Sequence, residues 1–432
     1  MLNIEIIREE PEKVKKNLRK RGEEKRIEEV EKLQDEDKKW RELKQEIDQL
    51  KHERNVLSQK IGELKSEGKE AEEQIKKSKE IAEQIEEVEE EKKELREHID
   101  ENLMNLPNIL HSSVPKGEDE EDNEELYKVG DANIPDYSLK PHGNVIESLE
   151  KADFDKASEV SGQGFVYLKN DLVRLDQALL NYGLEFMSER GYEAIEPPFM
   201  MRKEPYKGTV DLSDFEDVMY KVEDEDLYLI ATSEHPIGAM LMNDILNKDE
   251  LPKKFVGISP CFRKEIGSHG IDTKGLFRMH QFNKIEQFIF SKPENSWDYL
   301  EELLENSEQI LKNLNIPYRV VNVCTGDIGT IAAKKYDIEA WSPRQEEYIE
   351  VVSCSNCTDY QARRLNIRMG TVGAGEKEYV HTLNSTALAT SRTMVSIIEN
   401  NQTENGNIEI PEVLQDYMGE KEVIRKEPKQ SD

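Results

Sequence analysis

The chain has 432 residues, of which 60 are Lys or Arg and 92 are Asp or Glu, giving a formal charge of −32 with 36% hydrophobic residues. Its length excludes a mini-protein and predicts about two to three domains. Its charge excludes a globally basic nucleic-acid binder, though not local basic faces, and its apolar runs fall far short of the roughly 18 residues that a membrane span needs. The N-terminus has no basic segment followed by an apolar run and a small-residue cleavage site, so a cytoplasmic protein is expected. One reading of the acidic surplus is a medium of high ionic strength, where self-repulsion is screened, although plentiful lysine argues against an extreme halophile. Thermal melts that rise along a KCl series are the expected result; a flat or falling series overturns that reading.

From Asp37 to about Asn102 the sequence is nearly all charge, with apolar residues at heptad spacing and no proline. Trp40, Ile47, Arg54 and Ile61 form one row, and Leu43, Leu50, Leu57 and Leu64 a second. Ser78, Ile85, Lys92 and Ile99, then Ile81, Val88 and Leu95, repeat the pattern further on. Gly68 lies between the halves, where a left-handed helix end is easily made. The spacing predicts an antiparallel hairpin of two long helices, an arm over about 27–103. Such a hairpin often serves only as a spacer or dimerisation element. Its charge is divided, however. Residues 38–66 carry eight Lys/Arg against five Asp/Glu and residues 1–26 nine against six, whereas 67–103 carry seven against fifteen. The basic half offers a phosphate-facing surface within an acidic protein.

Two prolines and a glycine in 105–117 end the arm, and the acidic run 118–125 reads as solvated. The chain therefore divides into an N-terminal unit (1–112), a linker and entry segment (113–170) that reads as irregular over about 113–160, a main body (171–415) and a polar tail (416–432) that reads as frayed from Glu420 on. Within the body, helical periodicity runs from Asp171 to Arg190, stops at Gly191, and passes into an extended stretch ending at Pro197 and Pro198. Extended runs at 255–265 and 277–290 flank a Gly-containing connection, 266–276, and read as a hairpin. Its strands carry an unusual polar set: Arg263, Glu265, Arg278, His280, Gln281, Asn283 and Glu286. A surface hairpin would also carry charges, and from periodicity alone Phe282 reads better as a core residue of the sheet. Cys354 and Cys357 make a single CxxC with no second pair, half of a usual zinc ligand set, so buried thiols are expected rather than structural zinc.

Arg263-x-Glu265, a connection of about a dozen residues, and Arg278-x-x-x-Phe282-x-x-x-Glu286 resemble motif 2 of the class II aminoacyl-tRNA synthetases. "GYEAIEPPFM" (191–200) resembles motif 1, with Pro198 at its end, and "LNSTALATSRTMVSIIENNQ" (383–402) resembles motif 3, with its arginine at Arg392. Within the class, Thr232-Ser233-Glu234, the segment "EVVSCSNCTDYQARRLNIR" and the N-terminal helical arm resemble the seryl-tRNA synthetase family. The likeness is to its ordinary, archaeal-like type rather than the methanogen type with a zinc-bound serine site, and it covers nearly the whole chain. It implies an α+β fold: an antiparallel two-helix coiled-coil arm that binds tRNA, and a catalytic domain of mainly antiparallel sheet flanked by helices.

The resemblance further implies activation of L-serine with ATP and transfer of serine to tRNA(Ser), and to tRNA(Sec) where present, by a homodimer. Arg263 and Arg392 would be catalytic. An arginine fork can pair with the serine carboxylate and the α-phosphate together, which suits Arg263. Arg278 and Arg392 would hold the β- and γ-phosphates, Phe282 would stack on adenine, Glu265 would meet its amine, and Lys264 and Met279 would complete that wall. Serine would contact Thr232, Ser233, Glu234, Arg263, Glu286 and Thr386; Thr386 stands where the family often has serine. Glu350, Val351, Val352 and Ser353 match the segment that touches ATP, with Glu350 and Ser353 implied as ligands of Mg²⁺. Val352 stands where the family often has a hydroxyl.

Overall fold

The computed structural model describes residues 1–211, 216–265, 275–371, 375 and 377–427. They fall into two units, Met1–Ile109 and Leu110–Asp432. Most of the predicted 266–276 connection, residues 266–274, lies outside the described residues.

In the first unit, α1 (Ile27–Ser66) and α2 (Glu72–Asn105) form the long hairpin. Leu43, Ile47, Ile81, Ile85 and Ile99, all from the heptad rows, are buried. Gly68, at φ +71°, makes the turn that a side chain would strain. With 40 residues, α1 is about 60 Å long at the α-helical rise. Exposed ion pairs Lys39–Glu91 (2.6 Å) and Lys51–Glu89 (2.7 Å) cross between the helices and mark their register.

Helices Ile4–Glu9 and Pro11–Arg21 pack at the hairpin base, where Asp37 is fully buried. Asp37 accepts two hydrogen bonds of 2.6 Å from Arg8 and one of 3.0 Å from Arg41. Burial alone would raise its carboxyl, but the hydrogen bonds and charge of Arg8 and Arg41 outweigh it and hold the group below its ordinary range. Its contribution is therefore present above the unfolded carboxylate range and lost as pH falls through the lower, folded value. Asp37→Ala is expected to cost about 2 kcal/mol at pH 7 and much less at pH 3, as read from urea melts; an equal cost at both pH values overturns this.

In the second unit, β1 (Glu124–Val129), β2 (Glu193–Ile195), β3 (Lys253–Phe262), β4 (Gln281–Ser291), β5 (Tyr318–Asn322), β6 (Lys334–Ser342), β7 (Glu347–Thr358) and β8 (His381–Ala389) form one sheet. Its order is β1–β5–β6–β7–β8–β4–β3–β2, antiparallel except where β2 lies parallel to β3. Helices α3 (Asp171–Glu189), α4 (Ser296–Asn313) and α5 (Thr390–Asn400) close one face over a core that includes Leu175, Leu179, Ile285, Leu303, Leu383 and Ile397. This α+β arrangement, with its arm and mainly antiparallel sheet, is the expected one.

Three readings of the sequence need correction. The stretch of about 113–160 is not irregular: it holds β1, which pairs with β5, helix His142–Ser148 and most of helix Phe154–Ser161. β1 escapes a periodicity search because an edge strand with exposed side chains needs only hydrogen bonds to its neighbour, and charge there is normal. The tail is not frayed from Glu420 on: Ile424 is buried, and Val423–Ile424 pairs with Ile408–Glu409. The hairpin strands are shorter than read, ending at Phe262 and resuming at Gln281. Arg263, Glu265 and Arg278 thus leave from strand ends.

Candidate active site

The sheet face opposite α3–α5 opens into a cleft of about 410 Å³, lined among others by Thr232, Glu234, Arg263, Glu265, Met279, Phe282, Glu286, Glu350, Val351, Ser353, Thr386 and Arg392. Strand alternation explains the middle of this set. Phe282, Lys284 and Glu286 are two apart on β4 and share a face, while Ile285 between them enters the core.

The two flanking strands reach the cleft through irregularities. On β7, Val351, Ser353, Ser355 and Cys357 alternate toward the cleft. A bulge displaces the β6 register between Ile338 and Glu339, opposite Val352 and Glu350. Glu350 therefore joins Ser353 on the cleft side although they are three residues apart, a spacing that a regular strand would split between faces. On β8, a bulge after Thr386 shifts the lining set from Asn384 and Thr386 to Ala389.

Glu286 is 1% exposed, faces Thr386 across β8, and has Lys284 Nζ 2.6 Å from its Oε2. Burial pushes its carboxyl up, against the pull of Lys284. Burial, and then the charge of Glu286, push Glu234 up to about 7. Two carboxyls that share a desolvated site, with Lys284 the one close lysine among the described residues, favour a cation between them. Between the ordinary value of 4.5 and about 7 the folded chain keeps a proton on Glu234 that the unfolded chain releases, so stability falls as pH rises through that window. Glu234→Gln is expected to add about 1–2 kcal/mol at pH 8 and nothing at pH 4; calorimetric melts showing no gain at pH 8 would contradict it.

Arg263 follows β3. Its N–H donates to the His280 carbonyl at 3.0 Å, its Nε to the Ala231 carbonyl at 3.3 Å, and its guanidinium lies 5.4 Å from the Phe282 ring centre. Thr232 is buried, and its Oγ1 accepts the Glu234 N–H at 3.2 Å. Arg392, near the start of α5, donates from Nη1 to the Glu350 carbonyl at 2.8 Å, lies 3.4 Å from the Glu350 carboxylate, and covers Phe277 at 5.0 Å.

Four of the named residues do not line the cleft. Ser233 is fully buried beside Gly257 of β3, where a Cβ would stand 2.7 Å from its Oγ; glycine is needed for that approach. Val352 is in the core, opposite Ile338. Lys264 lies over the Tyr220 ring at 5.8 Å, and Arg278 is exposed. Sequence reasoning missed Lys284, which pairs with Glu286, and Asn384, which lines the cleft, although polar residues at alternate strand positions were the available signal; it also missed Gln361, a helical residue that hydrogen-bonds Glu234 and that no strand pattern marks. Cys357 lines the cleft and accepts from Asn384 Nδ2 at 3.7 Å, while Cys354 donates to the Leu300 carbonyl at 3.7 Å beneath α4; both are free thiols, raised by burial.

Among the described residues no group of three or more His, Cys, Asp or Glu side chains could cage a metal ion by itself. Glu350 and Ser353 offer oxygen donors only. That set fits an ion that takes one carboxylate and completes its shell with water and phosphate, as Mg²⁺ does. Among the described residues no helix is long and apolar enough to cross a membrane.

The tRNA synthetase class II core domain (G, H, P, S and T) family matches residues 220–401, and the seryl-tRNA synthetase N-terminal domain family matches residues 1–110. The chain is 49% identical over 425 residues to a serine–tRNA ligase of Methanoregula boonei, covering 98% of this chain and all of that one. It is 48% identical over 450 residues to a serine–tRNA ligase of Pyrococcus horikoshii, covering 100% of this chain and 99% of the relative. Its structure resembles seryl-tRNA synthetase from Pyrococcus horikoshii complexed with ATP (TM-score 0.94, 48% identity, 99% of this chain and 100% of that one). It also resembles cytoplasmic serine–tRNA ligase from Naegleria fowleri in complex with AMP (TM-score 0.88, 37% identity, 99% of each chain).

Proposed function

The chain belongs to the seryl-tRNA synthetase family of class II aminoacyl-tRNA synthetases and is an ATP-dependent aminoacyl-tRNA ligase, and on that premise we propose how its residues divide the reaction. In the first step an oxygen of the serine carboxylate attacks the α-phosphorus of ATP in line, the bond to the β-phosphate bridging oxygen breaks, and pyrophosphate leaves. In the second, the 3′-terminal ribose hydroxyl of tRNA attacks the acyl carbon of seryl-adenylate, AMP leaves, and its phosphate accepts the hydroxyl proton. No side chain need act as general base.

The observation that carries this reading is the presence in one cleft of Arg263, the buried Glu286 carboxyl and the half-buried Glu234 carboxyl, both carboxyls raised by desolvation. Arg263 bridges the serine carboxylate and the α-phosphate, and its hydrogen bond to Ala231 orients the fork beforehand. Glu286, Glu234 and Thr232 take the serine ammonium; Glu286 and Thr386 take the hydroxyl, and an alanine there would leave both unpaired. Phe282 stacks on adenine, with Glu265, Lys264 and Met279 beside it. Arg392 holds the β- and γ-phosphates from within the cleft, and the exposed Arg278 reaches in to share them. Glu350 and Ser353 would hold Mg²⁺, which would supply neutralisation of phosphate charge there. Residues 1–112 bind tRNA(Ser), and tRNA(Sec) where present, while 171–415 carry out the chemistry. The protein acts in the cytoplasm as a homodimer.

Amino-acid-dependent ATP–pyrophosphate exchange, run with all twenty amino acids and no RNA, tests the reading. Exchange driven by serine alone is expected. Exchange driven by another amino acid moves the specificity, and none at any KCl concentration removes the chemistry.

A further inference from the structure

A buried chain of hydrogen bonds lies behind the Phe277–Arg392 wall and takes no part in the steps above. The Leu276 N–H donates to His142 Nε2 at 3.0 Å. A backbone amide can only donate, so Nε2 is the acceptor here and Nδ1 is the ring nitrogen that faces Glu399 as donor. Nδ1 then donates to Glu399 Oε1 at 3.2 Å. Glu399 also accepts from Arg344 Nε at 2.9 Å and Ser342 Oγ at 2.5 Å. His142 and Glu399 are each 1% exposed.

The placement of these groups closes a ring. Glu399 and Arg392 are seven residues apart on α5, two helical turns, and therefore share a face. Arg392 rests on Phe277, and Phe277 follows the Leu276 amide that His142 holds. Gly275 completes the fit: a Cβ at that position would stand 2.3 Å from His142 Nε2. No positive φ is involved, so glycine is required there by the imidazole alone.

We propose that His142 is a positioning residue for ATP: it ties the backbone at Leu276 to α5 through Glu399, and so holds Phe277 under Arg392 at the spacing the triphosphate site needs. His142 touches no substrate. This rests on the assignment of the Phe277–Arg392 wall to ATP.

The test is serine-dependent pyrophosphate exchange by the full-length chain. In His142→Phe, which fills the space without an acceptor, KM for ATP is expected to rise about tenfold, the scale of one orphaned buried amide. KM for serine and kcat should stay within about twofold, since the serine pocket is untouched. His142→Gln, whose amide oxygen can accept from Leu276, should recover most of the loss. Gly275→Ala, which displaces the ring, should reproduce it even if His142→Phe does not fold. Arg392→Ala is the control: an unchanged KM for ATP there overturns the assignment of the wall and the proposal with it. A raised KM in Arg392→Ala, with an unchanged KM in Gly275→Ala and His142→Phe, overturns the role of His142 alone. Parallel rises in KM for ATP and serine would identify general destabilisation and also overturn it.

Discussion

Arg263→Ala is expected to lower serine-dependent pyrophosphate exchange by about 10³-fold, or roughly 4 kcal/mol of transition-state stabilisation. The size follows from the position. Two anions, a carboxylate and a phosphate, must approach each other, and the guanidinium beside Ala231 and Phe282 is already oriented before either arrives. Water entering the space left by alanine would have to reorganise at each turnover, whereas the arginine does not. Arg263→Lys should fall between, because an ammonium keeps the charge but lacks the planar fork. Steady-state exchange at saturating serine and ATP measures both variants. A loss below about tenfold in Arg263→Ala would remove Arg263 from the reacting centre.

Excising residues 51–89 and joining Leu50 to Glu90 by a short glycine turn is expected to lower tRNA charging by at least about 100-fold while leaving exchange within about threefold. The cut falls at the Lys51–Glu89 ion pair, so the joined ends are already opposite one another. The hairpin base keeps Leu43, Ile47 and Ile99 and the Asp37–Arg8 pair. What is lost is the outer part of α1 with Lys51, Arg54, Lys60 and Lys65, the basic side of the arm. In the intact chain, charging at limiting tRNA should weaken steeply with salt, while exchange should not. Equal loss of charging and exchange in the shortened chain would refute the division between 1–112 and 171–415.

The Glu234–Glu286 pair links stability to activity. Both carboxyls are raised by desolvation, so their ionisation costs stability at neutral pH, and on the proposed reading the serine ammonium offsets that cost. Gain of stability with loss of serine activation in Glu234→Gln is the pattern that identifies a binding pocket rather than a structural ion pair.

Much of this protein was legible as sequence where the determining interactions are local or periodic. The heptad rows around Leu43, Ile47, Ile81 and Ile85 placed the arm and its turn, since a helix repeats its face every few residues whatever surrounds it. The ordered motifs around Arg263, Phe282 and Arg392 placed the family and the antiparallel sheet. Tertiary structure decided what depends on pairing between distant strands. The bulges opposite Glu350 and after Thr386 turn both strands so that their polar residues enter one cleft, and no local spacing encodes them, because a bulge is defined only against its partner strand. β1 and the packed tail at Ile424 were hidden because a short strand is stabilised by its partner, Asn322 for Glu124 of β1 and Ile408 for Ile424, and not by its own pattern. His142 is the extreme case. Its residue type says nothing of role, and only the fold sets it between the amide of Leu276 and the carboxylate of Glu399, where burial makes each hydrogen bond directional and costly to lose.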